Sequence, residues 1–205
     1  MKIGALVLAA GKASRFGSPK QLLEIDGITL LDRACGTALD AGCDPVLRVI
    51  GAHADQILSR ACPQGVETLN HTTWEEGMGS SLAAGARQLV GLSPGLDAIV
   101  VLLADQPLVT IELLDSMFRQ LRRADISIVL SDHGEATGPP SLFAAAHFDE
   151  LMALSGDQGA KAIASKHVSA IARIPFPDGA WDIDSAEAWE QFIQARDASS
   201  ERRSR

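Results

Sequence analysis

Apolar residues run almost unbroken from Ile3 to Ala9, and again from Ala98 to Leu103 (AIVVLL). Runs of this length without polar alternation predict strands covered on both faces. Shorter apolar stretches at Pro45–Ile50, Val66–Leu69, "SIVLS" and "AIARIPF" predict further strands. Between them the period changes. Leu30, Leu31, Ala34, Ala38 and Leu39 recur at helical spacing until Gly42, and a short helix is predicted over Ala54–Ala61. Gly79–Val90 reads as a helix opened by Ser80 and Ser81. Thr110 reads as an N-cap, with Leu113, Leu114, Met117, Phe118 and Leu121 on one helical face. After about residue 124 the pattern loosens. "HGEATGPPSLF" reads as a loop entering a strand or sheet edge, Phe148–Leu154 as helix, "SGDQGAKAIASKH" as a turn and helix, and Ser185–Ala195 as a final helix.

Strand alternating with helix is the signature of a parallel sheet in an α/β domain. The 205 residues suffice for one domain with a full core, assigned to 1–196, with a polar, basic tail over 197–205 expected to be disordered. A net charge of −8 argues against a general nucleic-acid surface, so an anionic ligand needs local cations. Cys35, Cys43 and Cys62 show no Cys-x-x-Cys spacing and read as reduced, small apolar residues of a cytoplasmic protein. The first apolar run is too short to span a membrane and meets Gly11–Lys20 at once, so no membrane association is expected.

Ligands of open parallel sheets gather at the carboxyl ends of the strands, which makes the polar residues there the candidates. The first strand runs into "LVLAAGKASRFGSPKQLL". This is neither a P-loop, because Phe16 stands at the second Gly position, nor a dinucleotide loop, because Ala13 does. It still carries Gly11, Ser14, Arg15 and Lys20, the cations and backbone N–H groups that phosphate oxygens need. Asn70 and "WEEGMGSSL" follow the third strand, and Asp105, Gln106 and Pro107 follow AIVVLL. Asp182 and Asp184 come late. A carboxylate just past a buried strand needs a partner or a metal, and the distant pair Asp105 and Asp184 suits magnesium. Gly79, Ser80 and Ser81 offer backbone and hydroxyl contacts to a base or ribose. Taken singly, each signal has a plain structural use: Asp105 caps a turn, Asp184 or Ser185 caps a helix, and Glu75 and Glu76 form a solvated face. The five scattered histidines receive no catalytic role. The weight lies in co-occurrence at successive strand ends.

In that order the segments are familiar. "LAAGKASRFGSPK" resembles the Leu-Ala-Ala-Gly-x-x-x-Arg-Met-Gly-x-x-Lys signature of nucleotidyltransferases related to the molybdenum-cofactor enzymes MobA and MocA. "NHTTWEEGMGSSLAAG", "LLADQPLVT", "GPPSLF", "LSGDQGAK" and "DIDSAEAWE" resemble further segments of the MocA-like branch, over about Ile3 to Phe192. Phe16, Ala104, Lys161, Ala186 and Ala188 depart from its pattern. The resemblance implies a Rossmann-like three-layer α/β sandwich with a mostly parallel central sheet, like that of nucleotide-diphospho-sugar transferases. It implies nucleotidyl transfer from an NTP to a phosphate-bearing acceptor, with Mg2+ as cofactor. It implies that Leu8, Ala9, Ala10 and Gly11 meet the base and sugar, and that Arg15 and Lys20 hold the triphosphate beside Ser14. It further implies that Asn70, Gly79, Ser80 and Ser81 seat the nucleotide, and that Asp105 and Asp184 bind the metal. Leu-Ala-Ala-Gly goes with cytidylyl transfer in this resemblance, so Ala10 favours CTP, with molybdopterin as acceptor and a xanthine-oxidase-type molybdoenzyme or its chaperone as the protein served. A sugar or polyol phosphate acceptor, and a non-catalytic nucleotide-binding partner of a molybdoenzyme, are the alternatives.

Overall fold

The computed structural model describes residues 1–12, 16–181, 183 and 185–203. Ser14, Arg15, Asp182 and Asp184 therefore lie outside the described residues. Strand β1 (Ile3–Ala9) is buried at every position, as an apolar run with two covered faces requires. A small hairpin, β2 (Glu24–Ile25) and β3 (Ile28–Thr29), leads into helix α1 (Leu30–Asp40). There follow β4 (Val46–Ile50), α2 (Ala54–Leu58), β5 (Val66–Asn70), α3 (Met78–Leu92), β6 (Ala98–Leu103) and α4 (Ile111–Leu121). The second half comprises β7 (Ile128–Asp132), β8 (Thr137–Ala144), α5 (Phe148–Met152), α6 (Lys161–Ala164), β9 (Ile171–Pro175) and α7 (Ala186–Arg203).

Seven strands form one sheet in the order β5-β4-β1-β6-β8-β7-β9, and β8 runs against its two neighbours while the rest are parallel. Alternate residues of each strand feed two cores. Val7, Ile50, Val100 and Leu102 meet α1 and α4 on one face, and Leu6, Val49, Ile99 and Val101 meet α3, α5 and α6 on the other. The result is the expected three-layer sandwich. A third cluster, Ile25, Leu30, Ile183 and Phe192, ties the hairpin to α7.

Of the strand or edge expected at "GPPSLF" the structure gives an inner strand, because Pro139 and Pro140 fall at the register shift between Leu130 and Ser131, where the ladder needs no N–H from them. The Pro139 and Pro140 carbonyls accept from His133 Nε2 and Ser131 Oγ instead. Helix α3 starts at Met78, so Ser80 and Ser81 lie inside its first turn and Gly77 is the cap position. Helix α7 passes Ala195 and reaches Arg203, so residues 197–203 of the tail expected to be disordered are helical. Cys35 and Cys43 are buried and their thiols are pushed up to about 12 by loss of water, which keeps them protonated, whereas Cys62 is exposed.

Thr110 caps α4 as predicted, its Oγ1 accepting from Leu113 N at 3.3 Å. Thr110→Ala removes that acceptor at the helix carrying Leu114 and Met117 into the core. A loss of about 1 kcal/mol is expected in denaturant unfolding, and an unchanged midpoint would show the cap to be idle.

Candidate active site

The strand order reverses around β1. The chain moves from β1 to β4 and β5 on one side, then crosses back through α3 to β6 on the other. Such a switch point opens a crevice beyond the carboxyl ends of the strands. Here that crevice is a cleft of about 630 Å3, walled by Leu8–Lys12 at the end of β1, by Leu103–Asp105 at the end of β6, by Lys20 and Gln21, and by Trp74, Gly77, Met78 and Ser81.

The floor is the run from Leu8 to Lys12, and its carbonyls all point into protein. Leu8 O accepts from Ala104 N, and Ala10 O accepts from Ala52 N. Gln21 Nε2 donates to Ala9 O at 2.9 Å and Gly11 O at 3.0 Å, and His53 Nε2 donates to Lys12 O at 2.9 Å. With its carbonyls engaged, what this run could offer an anion is its N–H groups. Neither Gln21 nor His53 was picked out from the sequence. Gln21 sits in a 3-10 turn (Lys20–Leu22), and no periodicity marks a buried amide there.

Lys20 and Asp105 come together across 85 residues. Lys20 Nζ lies 2.5 Å from Asp105 Oδ2, and each side chain is only 15% exposed. The other oxygen, Asp105 Oδ1, is buried with no hydrogen-bond partner among the described residues. Asp105 O also accepts from Ile183 N.

The α3 side supplies the opposite wall. Gly51 has no Cβ, and one there would fall 2.7 Å from Trp74 Cβ and 2.9 Å from Ala10 O, so glycine is what lets Trp74 close on the Ala10 backbone. Ser81 lines the cleft. Ser80 does not: its Oγ donates to Glu76 Oε2 and pairs with His71 Nε2 at 2.9 Å, holding the Trp74–Glu76 turn to α3. Gly79 N donates to Gly156 O, and Gly79 itself packs against the 155–158 backbone rather than the cleft. Asn70 is exposed at the end of β5 and is not among the lining residues. The expected solvated pair divides, with Glu75 lining the cleft and Glu76 bonded to Ser80. Lys12 lines it too, as do Trp74, Glu75 and Met78 of the "WEEGMGSSL" segment and Asp157 of "LSGDQGAK". Of the residues marked from the sequence, the structure gathers Leu8, Ala9, Ala10, Gly11, Lys20, Ser81 and Asp105 into one cleft.

Comparison with known proteins agrees with this architecture. The chain is 28% identical over 205 residues to the purine catabolism protein PucB of Bacillus subtilis (strain 168), covering 94% of this chain and 95% of that protein. It is 37% identical over 106 residues to nicotine blue oxidoreductase of Paenarthrobacter nicotinovorans, covering 51% of this chain and 50% of that one. Among solved structures, Rv0371c of Mycobacterium tuberculosis H37Rv superposes with a TM-score of 0.81 at 25% identity, covering 95% of this chain and 98% of that one. Its manganese complex gives a TM-score of 0.77 at 23% identity, covering 95% and 99%. The sequence signature described as the MobA-like NTP transferase domain matches residues 5–171. The chain belongs to the MobA-like NTP transferase family.

Proposed function

We propose that this nucleotidyltransferase moves CMP from CTP to the phosphate of molybdopterin in the cytoplasm. The observation that carries the site is the Lys20–Asp105 pair at the switch point, with Asp105 Oδ1 buried and unpartnered among the described residues. That orphan oxygen fits a magnesium ion, a hard cation that takes carboxylate oxygen and fills its remaining positions with phosphate and water. Asp105 is the residue that would hold it, with Asp184 as the second carboxylate, and the bound ion would neutralise triphosphate charge. A solved relative's manganese complex supports a divalent ion in this fold.

The acceptor phosphate is already a nucleophile, so the protein needs no activated serine or cysteine. A phosphate oxygen of the acceptor bonds to the α-phosphorus of CTP as the bridging bond to the β-phosphate breaks, and pyrophosphate leaves. Catalysis then consists of positioning and of charge neutralisation by Lys20 and Arg15. The N–H groups after β1 and the Trp74 wall seat the nucleoside, with Ser81 beside them. Ala10 is 6% exposed on the floor, so its methyl group limits how deeply a purine can enter. The name of PucB, a purine catabolism protein, is consistent with service to a molybdoenzyme of the xanthine-oxidase type or its chaperone.

The test is pyrophosphate release with each of the four common NTPs, with and without molybdopterin, in Mg2+. Release dependent on both CTP and molybdopterin is expected. Release with CTP and a sugar or polyol phosphate alone would move the acceptor, and nucleotide binding without release would make the protein a carrier. One relative is named an oxidoreductase. The Gly-x-Gly-x-x-Gly loop for dinucleotides is missing here, and NAD(P)H oxidation in the same assay would reverse that judgement.

A further inference from the structure

At the other end of the strands three ligating side chains converge. His147 closes a 3-10 turn (Ala145–His147), Glu150 lies one turn on in α5, and His167 precedes a 3-10 turn (Val168–Ala170). Glu150 Oε1 lies 2.6 Å from His167 Nε2 and 3.4 Å from His147 Nδ1, and the two imidazole rings are 4.5 Å apart. One ligand atom from each residue lies within 4.8 Å of the other two. A tetrahedral zinc ion with bonds of about 2.1 Å sets its ligand atoms roughly 3.4 Å apart, so the cluster needs only small adjustment. His147 is buried, and its Nε2 lies 2.8 Å from Ser127 Oγ, which turns Nδ1 toward Glu150. Metal-binding imidazoles are held this way, one nitrogen on an outer hydrogen bond and the other facing the ion.

The place in the fold gives the cluster a consequence. Ala144 N donates to Ser127 O just before β7, and Ala145 N donates to Asp97 O just before β6. The cluster therefore sits at the start of β6, a strand's length of roughly 20 Å from Asp105. Residues 151–166 leave it, meet α3 where Gly156 O accepts from Gly79 N, reach the cleft with Asp157, and return to it at His167. Glu150 and His167 bracket the base of that excursion.

We propose that His147, Glu150 and His167 bind one divalent transition-metal ion of zinc's class, which clamps the base of the segment walling the cleft. Two imidazoles and one carboxylate suit zinc and its neighbours, whereas magnesium prefers oxygen throughout. The site stands apart from the proposed reaction and does not depend on it. Lys166 Nζ, 3.4 Å from Glu150 Oε2 on a side chain 66% exposed, adds a positive charge that opposes the ion.

Calorimetric titration of the whole chain with Zn2+ and with Mg2+ tests the site, with thermal melts run alongside. One equivalent of Zn2+ is expected in the wild type and in Asp105→Asn alike, which separates this site from the cleft and from pyrophosphate release. Binding should weaken at least tenfold in His167→Ala and Glu150→Gln and about tenfold in Ser127→Ala, and should tighten in Lys166→Ala. Co2+ should give the visible bands of a four-coordinate ion in the wild type, Asp105→Asn and Lys166→Ala, and lose them in His167→Ala and Glu150→Gln. Equal Zn2+ affinity in the wild type, Glu150→Gln and Ser127→Ala overturns the proposal. If His167→Ala does not fold, Ser127→Ala and Lys166→Ala carry the test.

Discussion

Asp105→Asn should lower CTP-dependent pyrophosphate release by about a hundredfold or more while the protein stays folded. The size follows from the loss of one preorganised electrostatic group, which typically costs 10²- to 10³-fold in rate. The substitution keeps the shape of the side chain and the backbone link from Ile183 N to Asp105 O. It removes the negative charge that faces Lys20 Nζ at 2.5 Å, and it turns a carboxylate with a buried, unpartnered oxygen into an amide. An amide is a poor ligand for magnesium, and its NH2 group cannot accept from the Lys20 ammonium. The measurement is pyrophosphate release at saturating CTP and molybdopterin, with a thermal melt of the same sample. Wild-type release from a folded Asp105→Asn protein would remove Asp105 from the chemistry and leave it a partner for Lys20 alone.

Asp105 was legible because it ends a strand buried on both faces. Apolar runs such as Ile3–Ala9 and Ala98–Leu103 have no alternation to misread, and their first polar residues fall where an open parallel sheet keeps its ligands. The same logic failed at Asn70. It does end β5, but β5 is the outer strand and the residue is exposed away from the lining. It failed again at Ser80, where being next to Ser81 in sequence means pointing elsewhere on a helix: Ser81 faces the cleft and Ser80 faces His71. Gln21 and His53 were illegible because each matters through a side-chain bond to the Ala9–Lys12 backbone, which no periodicity marks. Proline left "GPPSLF" open between strand and edge, since its place at a register shift exists only once β7 is paired.

Gly77→Ala should be the most destabilising single methyl addition near the site, and it tests how the cleft wall is built. Gly77 has φ 109° and ψ 175°, a conformation open essentially only to glycine. A Cβ there would also collide with the Gly156 carbonyl and approach Asp157 Oδ1 to 2.6 Å. The collision is with backbone, which cannot swing aside as a long side chain would. Strain of this kind costs of order 1–3 kcal/mol, and overpacking adds a similar amount, so a total of about 3 kcal/mol or more is expected. For a domain of this size that corresponds to a fall in Tm of roughly 6–12 °C. Because Gly77 and Asp157 both line the cleft, relief by displacement of either wall should also raise the KM for nucleotide. Gly36→Ala is the control. It lies in α1 without positive φ, and nothing would lie within 4 Å of the new methyl group, so it should gain about 0.5–1 kcal/mol. A Gly77→Ala protein that melts with the wild type would mean that the 77–79 and 155–158 segments separate at little cost, and that the wall seen here is one of two positions.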